Sequence, residues 1–252
     1  MDFLINIFNL ILYQPLFNAL IVLYQYLPGH DFGIAVIVLT LLIRLMLYPL
    51  MVQSIKSQRA WQELQPKLQE IQQKYRTDHQ RQAREIFELY KKEKISPLSG
   101  FLPLLIQLPI LIALFWVFMA FKDGLNPDKL TILYPFVSPP NLLKEPTFLG
   151  LINLASPSLI VAVLAGFSQF FQTKIVLPYQ KIGGGQTSKK QDQITQLSNL
   201  IQKQRLYFFP IFTVFILLSL PSAIGLYWIV TSLFSIGQQY LVFKKWKSTD
   251  LN

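Results

Sequence analysis

The chain has 252 residues, of which 52% are hydrophobic and 14% charged, with a formal net charge of +10. With a mean hydropathy of +0.38, this composition departs from ordinary soluble domains toward membrane proteins. The absence of cysteine excludes disulfides, thiolate metal sites and a lipid-modified N-terminal cysteine.

The first segment, residues 1–30, is apolar from Phe3 to Leu27 but is interrupted by Asn6, Asn9, Gln14, Asn18 and Gln25. Pro15 is expected to break it, because proline lacks the amide hydrogen a helix interior needs. The segment reads as an interfacial helix or as an extra span. It carries no Lys or Arg, and so lacks the basic opening of a signal peptide. Residues 33–53 form the first core span, long enough to cross hydrocarbon, with Arg44 roughly 17 Å along it at helical rise.

Residues 54–97 then carry ten of the 23 Lys and Arg. Trp61, Leu64, Leu68, Ile71 and Tyr75 step by 3, 4, 3 and 4, an apolar seam of helical spacing with Lys, Glu and Gln opposite. Thr77-Asp78 is a turn and cap signal, and Ala83, Ile86, Phe87 and Tyr90 make a second stripe. The segment is expected to be a cytoplasmic helical hairpin, kinked at Pro66, with its contacts made through Trp61, Leu64, Leu68, Ile86 and Tyr90.

Residues 100–121 make a second span and 157–177 a third, joined by a proline-rich extracytoplasmic loop, 122–156, that reads as irregular or short-helical. A second cytoplasmic loop, 178–205, contains Gly183-Gly184-Gly185. Without a following Lys-Ser/Thr pair this is a linker rather than a phosphate loop. Pro221 splits the remaining apolar tract into a short fourth span, 206–220, and a fifth, 222–243, followed by a basic tail, 244–252. Of the 23 basic residues, 19 fall on one side of this five-span scheme, which the positive-inside rule makes the cytoplasm, C-terminus included. The fold class expected is an all-α polytopic membrane protein with a five-helix core.

None of the 13 acids and neither histidine falls within these spans. That excludes proton pumps and intramembrane aspartyl or histidine-assisted serine proteases, and leaves no catalytic residue, metal set or cofactor to name. The net charge is explained by topology before any specific nucleic acid. Arg44 stands out because a charge at membrane depth is costly and usually paired. Polar side chains are placed to line a wet recess around it: Thr40, Arg44 and Tyr48 at i, i+4, i+8; Gln107 on the second span; Ser168, Gln169 and Gln172 on the third; and Trp228, Thr231, Ser235 and Gln238 at 3, 4, 3 on the last. The plainer reading of such Ser, Thr and Gln is that they hold helices together. A cation with no acid in its own spans reads instead as an open site for an incoming anion.

Four runs, FGIAVIVLTLLIRLMLYPL, LQPKLQEIQQKY, KISPLSGFLPLLIQLPILIALFWVF and FFPIFTVFILLSLPSAIGLYWIVTSLFSIGQQYL, resemble the YidC/Oxa/Alb family of membrane protein insertases in order and spacing. The resemblance runs from about Tyr13 to Phe243 and is to the short form without a large extracytoplasmic domain. It implies a bacterial cytoplasmic-membrane protein whose five helices enclose a hydrophilic groove closed to the outside, inserting and helping to fold nascent membrane proteins without nucleotide hydrolysis. It further implies that Arg44 is the groove arginine, that Thr40, Tyr227 and Trp228 contact substrate, and that a Sec translocon, ribosomes and lipids are partners. Many members have a second tyrosine where Trp228 stands, and Lys244, Lys245 and Lys247 make only a short basic tail. An anion transporter built on Arg44, or a passive assembly scaffold, are the competing readings.

Overall fold

The computed structural model describes residues 2–93, 102–121, 127–139, 146–176 and 204–249, leaving out the side chains of a few of them, Trp61 among these. Nearly all of these are helical: α1 (Asp2–Phe8), α2 (Gln14–Tyr26), α3 (Phe32–Met46), α4 (Tyr48–Lys74), α5 (His79–Lys92), α6 (Leu102–Met119), α7 (Leu159–Val176), α8 (Phe209–Leu217) and α9 (Ser222–Thr249). The one sheet among the described residues is the antiparallel pair β1 (Thr147–Phe148) and β2 (Ile152–Asn153). Two compact units emerge, one of Met1–Leu45 with Leu111–Asn252, the other Met46–Ile110.

In the first unit, Pro15 does not break the N-terminal segment. A π-helical turn, Asn9–Tyr13, lies directly upstream, and Gln14 N–H reaches Asn9 O rather than the carbonyl four back. Widening the helix there relieves the clash between a proline ring and the preceding turn. Phe3–Tyr26 is consequently one helix of 24 residues, long and apolar enough to cross a membrane. Its first half is exposed, with Phe3 at 75% and Leu10 at 65%, whereas Phe17, Leu20 and Ile21 are buried. Phe17 and Phe32 both pack on Phe121, at 5.5 and 5.1 Å between ring centroids. Asn18 Nδ2 and Gln14 Nε2 donate to Ile132 O, Tyr134 N–H donates to Asn18 Oδ1, and Gln25 Nε2 donates to Ser138 O. The asparagine and glutamines that interrupt the apolar run therefore fasten α2 to the 127–139 segment.

The same end of this unit gathers the N-termini of α3 and α9. Asp31 caps α3, Oδ1 accepting from Ile34 N–H at 2.8 Å, while its Oδ2 accepts from Leu149 N–H at 2.5 Å. Phe148 lies against Gly33 so closely that a Cβ there would come within 2.3 Å of the ring. Ser222 N–H and Ala223 N–H donate to Ser156 O and Leu154 O. The 122–156 loop, expected to be irregular or short-helical, contains a short 3-10 helix, Pro127–Ile132, and also a β-hairpin. α7 packs on its neighbours through small residues: a Cβ on Gly166 would meet Val214 at 2.4 Å and Pro210 O at 3.0 Å, and one on Gly225 of α9 would meet Val161 at 2.7 Å. Such close backbone approach is how helices associate where no hydrophobic effect drives them together.

Element ends differ from those expected in three places. The segment expected over 33–53 as the first span is not one continuous helix: α3 stops at Met46 and a new helix begins at Tyr48 with Pro49 in its first turn, where a missing N–H costs nothing. The apolar helix Leu206–Leu217 ends before Leu220, in a turn closed by Ser219 N–H on Ile216 O. α9 continues past Phe243 to Thr249, so the first residues of the basic tail extend the last helix. Among the described residues, length and apolarity single out one spanning helix, or two if the broken pair Phe32–Met46 and Tyr48–Ser57 is one span, with Leu105–Met119, Leu159–Ile175 and Leu206–Leu217 apolar but shorter. The exterior supplies the rest of the reading: Leu41, Leu45, Leu164, Phe167, Phe212, Phe215, Leu233 and Leu241 are all exposed while Thr40, Arg44, Ser168, Thr213 and Ser232 are buried. An apolar outside over an interior that holds polar groups among its Leu, Phe and Ala side chains suits lipid and not water. The protein is an all-α polytopic membrane protein.

In the second unit α4 and α5 form a hairpin. Asp78 caps α5, its side chain accepting from Arg81 N–H at 3.0 Å. Leu64 and Leu68 are buried, Ile86 and Tyr90 half-buried. Lys67 Nζ pairs with Glu93 at 2.6 Å and Gln82 Nε2 donates to Gln72 O at 2.9 Å, tying the arms together. Pro66 sits inside α4 without ending it. The 178–200 stretch, the Gly183–Gly185 linker and residues 250–252 lie outside the described residues.

Candidate functional site

α3 sorts its side chains by face. Ala35, Val36, Leu39, Thr40 and Arg44 are buried, and Leu41, Leu42, Leu45 and Met46 are exposed, the division a helical period imposes. Because the helix ends at Met46, Arg44 lies in its last turn rather than midway along a longer span. There a cation meets the partial negative charge of unfilled carbonyls, worth about 0.3–1 kcal/mol. Thr40 Oγ1 donates to Val36 O at 2.6 Å, which satisfies the hydroxyl within its own helix.

Arg44 is 6% exposed and Tyr227, on α9, is 2% exposed; a side-chain hydrogen bond joins them, guanidinium donating to phenol oxygen. The expectation of an unpartnered cation is corrected here. The physical reason is that a desolvated guanidinium takes whatever acceptor the packing brings, and a phenol serves. The bond also fixes where the fork of donors points, which a hydrated, freely rotating arginine would not.

From Tyr227 the buried face of α9 runs on through Thr231, Ser232, Ser235, Gln238 and Gln239, with Trp228 half-buried beside it. Ser235 Oγ donates to Thr231 O at 2.8 Å, and on α7 Ser168 Oγ donates to Ala165 O at 2.8 Å. Gln169, next to Ser168, and Gln172, one turn further along α7, are half-buried, and Thr213 is buried on α8. Thr231 Oγ1, Ser232 Oγ, Gln239 Oε1 and Gln169 Oε1 are buried with no hydrogen-bond partner among the described residues. Buried polar oxygens of this kind are places where an ordered water would bind. Among the described residues no group of His, Cys, Asp or Glu is arranged to hold a metal ion.

The structure brings Arg44 and Tyr227 together and places Thr40, Gln169, Gln172, Trp228, Thr231 and Ser235 in the same unit. Tyr48 and Gln107, both half-buried, belong to the other unit. Tyr48 opens α4, a separate helix from the one that carries Thr40 and Arg44. Leu64 and Leu68 are used inside the hairpin, and among the described residues Phe87 of α5 is a large apolar side chain left exposed, at 70%. Ser232, Gln239 and Thr213 were not singled out from sequence. Ser232, Ser235 and Gln239 step by 3 and 4, a second polar stripe beside the first, and that spacing was the available signal.

Comparison with known proteins gives the family. Residues 22–249 match the family described as 60Kd inner membrane protein. A protein of Fusobacterium nucleatum subsp. nucleatum named membrane protein insertase YidC is 34% identical over 215 residues, 85% of this chain and 87% of its own length. Proteins of the same name from Francisella tularensis subsp. novicida and subsp. tularensis are 31% identical over 222 residues, 87% of this chain but 34% of their own length. With the match running along most of this chain and, for the Fusobacterium protein, along most of the relative, the chain belongs to the 60Kd inner membrane protein family.

Proposed function

We propose that this protein is a membrane protein insertase and chaperone of the bacterial inner membrane, acting on nascent membrane proteins without a cofactor or nucleotide. The observation that carries the reading is the buried, tyrosine-held Arg44 at the head of a polar helix face in a unit whose outside is apolar. A guest's acidic segment, drawn toward that cation, crosses part of the membrane in a polar interior rather than in lipid, which removes much of the charge-transfer cost. Its apolar helix meanwhile partitions into hydrocarbon, and burial of that surface drives the process. Short helices support the reading: Leu206–Leu217 spans about 18 Å at helical rise, against roughly 30 Å of hydrocarbon, and such mismatch thins a bilayer locally.

In this reading α3, α6, α7, α8 and α9 are the five core spans and Phe3–Tyr26 crosses as well. Gln25 binds the 127–139 segment, so the C-terminal end of that helix shares the extracytoplasmic side. The α4–α5 hairpin and the C-terminus are cytoplasmic by charge. The hairpin meets apolar segments first through Phe87. Thr40, Trp228, Thr231, Ser235, Gln169 and Gln172 contact the guest within the core, with Tyr48 and Gln107 assigned to its approach. A Sec translocon, ribosomes and surrounding lipids are the partners.

The test is insertion of a small substrate with an acidic translocated tail in cells depleted of the endogenous insertase. Arg44→Ala is expected to lower insertion at least tenfold, and Arg44→Lys to retain most of it, since a point charge suffices. Tyr227→Phe, which keeps the ring and removes the acceptor, is expected to fall between. Full insertion by the Ala variant overturns the electrostatic mechanism.

A further inference from the structure

We propose that the tip of the β1–β2 hairpin, Leu149-Gly150-Leu151, is a wedge seated in the lipid interface on the side of the membrane where α3 and α9 begin. This goes beyond the insertase reading and does not depend on it. Three observations carry it. The tip is more apolar than a turn in water should be: Leu149 is 59% and Leu151 85% exposed, where hairpin turns in water favour Asn, Asp and Gly. The backbone resists the choice as well. Leu149 has φ of 53° and Gly150 φ of 67°; the glycine accepts that region freely, but leucine does so only with its Cβ crowding the following carbonyl. Asparagine would fit position 149 better, so the leucine is kept for its surroundings and not for the turn.

The second observation is rigidity. The hairpin is clamped from below by Asp31 on Leu149 N–H, by Phe148 on Gly33, and by Ser222 and Ala223 on the strand that leaves it. Its tip therefore stands at a fixed place relative to the helix ends, as an anchor requires. The third is continuity with the lipid-facing surface. From residue 146 to 173 the chain carries no charged residue, and the hairpin leads within a few residues into α7, whose first residues, Leu159 and Ile160, are 63% and 66% exposed. Apolar side chains at the junction of a membrane helix and its connecting loop belong at the headgroup boundary.

The chain contains no cysteine, so Leu151→Cys gives a unique thiol at an exposed position of the full-length protein. Labelled with an environment-sensitive fluorophore and reconstituted into phosphatidylcholine–phosphatidylglycerol liposomes, it is expected to be quenched several-fold more by shallow nitroxide lipids than by aqueous iodide. Gln73→Cys on the charged hairpin is expected to show the reverse. Adding Leu149→Asn, which suits the turn but removes the apolar side chain, is expected to shift the label at 151 toward iodide. Elution of each variant with the parent in detergent checks the fold. Iodide-dominated quenching at 151 overturns the proposal. So does a label that leaves water only when a stalled nascent chain is added, which makes the tip a client contact, or only at high protein density, which makes it a contact between copies.

Discussion

The two units of this chain solve opposite solvent problems with the same helical period. In the unit of residues 1–45 and 111–252, the buried faces hold Arg44, Ser168, Thr231, Ser232 and Gln238 while the exposed faces are Leu and Phe. In the unit of residues 46–110, Leu64 and Leu68 are buried and the outward faces carry ion pairs such as Arg59–Glu63 and Arg84–Glu88, each at i, i+4. The second is the ordinary arrangement of a helix in water, in which an apolar stripe is hidden and charge is displayed. The first differs on its outward face, which is apolar, while polar groups sit among its buried Leu, Ile and Phe. Where lipid is the solvent, apolar burial stops driving helices together, so the interior is free to hold polar groups and association falls to small-residue packing at Gly166 and Gly225.

The sharpest way to break this comparison uses one substitution at two matched positions. Phe215 on α8 and Phe87 on α5 are 72% and 70% exposed. If the first faces hydrocarbon, Phe215→Asp carries a charge into lipid at about 2.5–3.5 kcal/mol on insertion scales, and the amount of folded protein recovered from membranes should fall sharply. Phe87→Asp, in water, should change stability by no more than about 0.5 kcal/mol. Equal losses at the two sites would erase the distinction. Within the hairpin the seam is the sensitive part: Leu68→Ala, at a side chain 5% exposed, removes buried methyl groups and should cost about 2 kcal/mol. Faster protease cutting between the arms, with the core helices unaffected, is the expected readout.

The sequence shows which solvent each helix meets more readily than where each helix ends. Hydropathy and charge are sums over many residues, so helical class, membrane character and the charged hairpin were all legible, as was the cap at Asp78 from the Thr77-Asp78 signal. Ends depend on single residues and their neighbours. Tyr48-Pro49 was a readable stop that the unbroken apolar run obscured, and it puts Thr40 and Arg44 on one helix and Tyr48 on the next. Pro15 misled in the other direction, since a π turn absorbs it and no residue type announces such a turn. For the candidate site, the rarity of Arg44 in a chain whose acids lie elsewhere made it visible. Its bond to Tyr227 was not, because it depends on how two helices distant in sequence are rotated toward one another.

Smaller effects sharpen the hairpin side of the comparison. Asp78→Ala removes the acceptor for Arg81 N–H and should cost about 1 kcal/mol, seen as faster amide exchange confined to the first turn of α5. Unchanged exchange there would mean that water replaces the cap at no cost.

The smallest effect concerns pH. The hydrogen bond from Lys67, and then its charge, hold the Glu93 carboxyl below the usual carboxylate range. A carboxylate whose folded value is depressed contributes to stability above its unfolded value and loses that contribution as pH falls through the folded one. Contact between the arms at the Lys67–Glu93 pair should therefore be constant near neutrality and weaken only in acid, below the ordinary carboxylate range. Because the pair is open to solvent, salt should mimic the effect at neutral pH. Carboxyl chemical shifts of Glu93 followed through an acid titration, in the parent and in Lys67→Met, should give a lower midpoint in the parent. Coincident midpoints would leave the closing of the arms to Leu64, Leu68 and the Gln82–Gln72 hydrogen bond, and would place the hairpin nearer still to a plain amphipathic pair whose charges serve only to keep it in water.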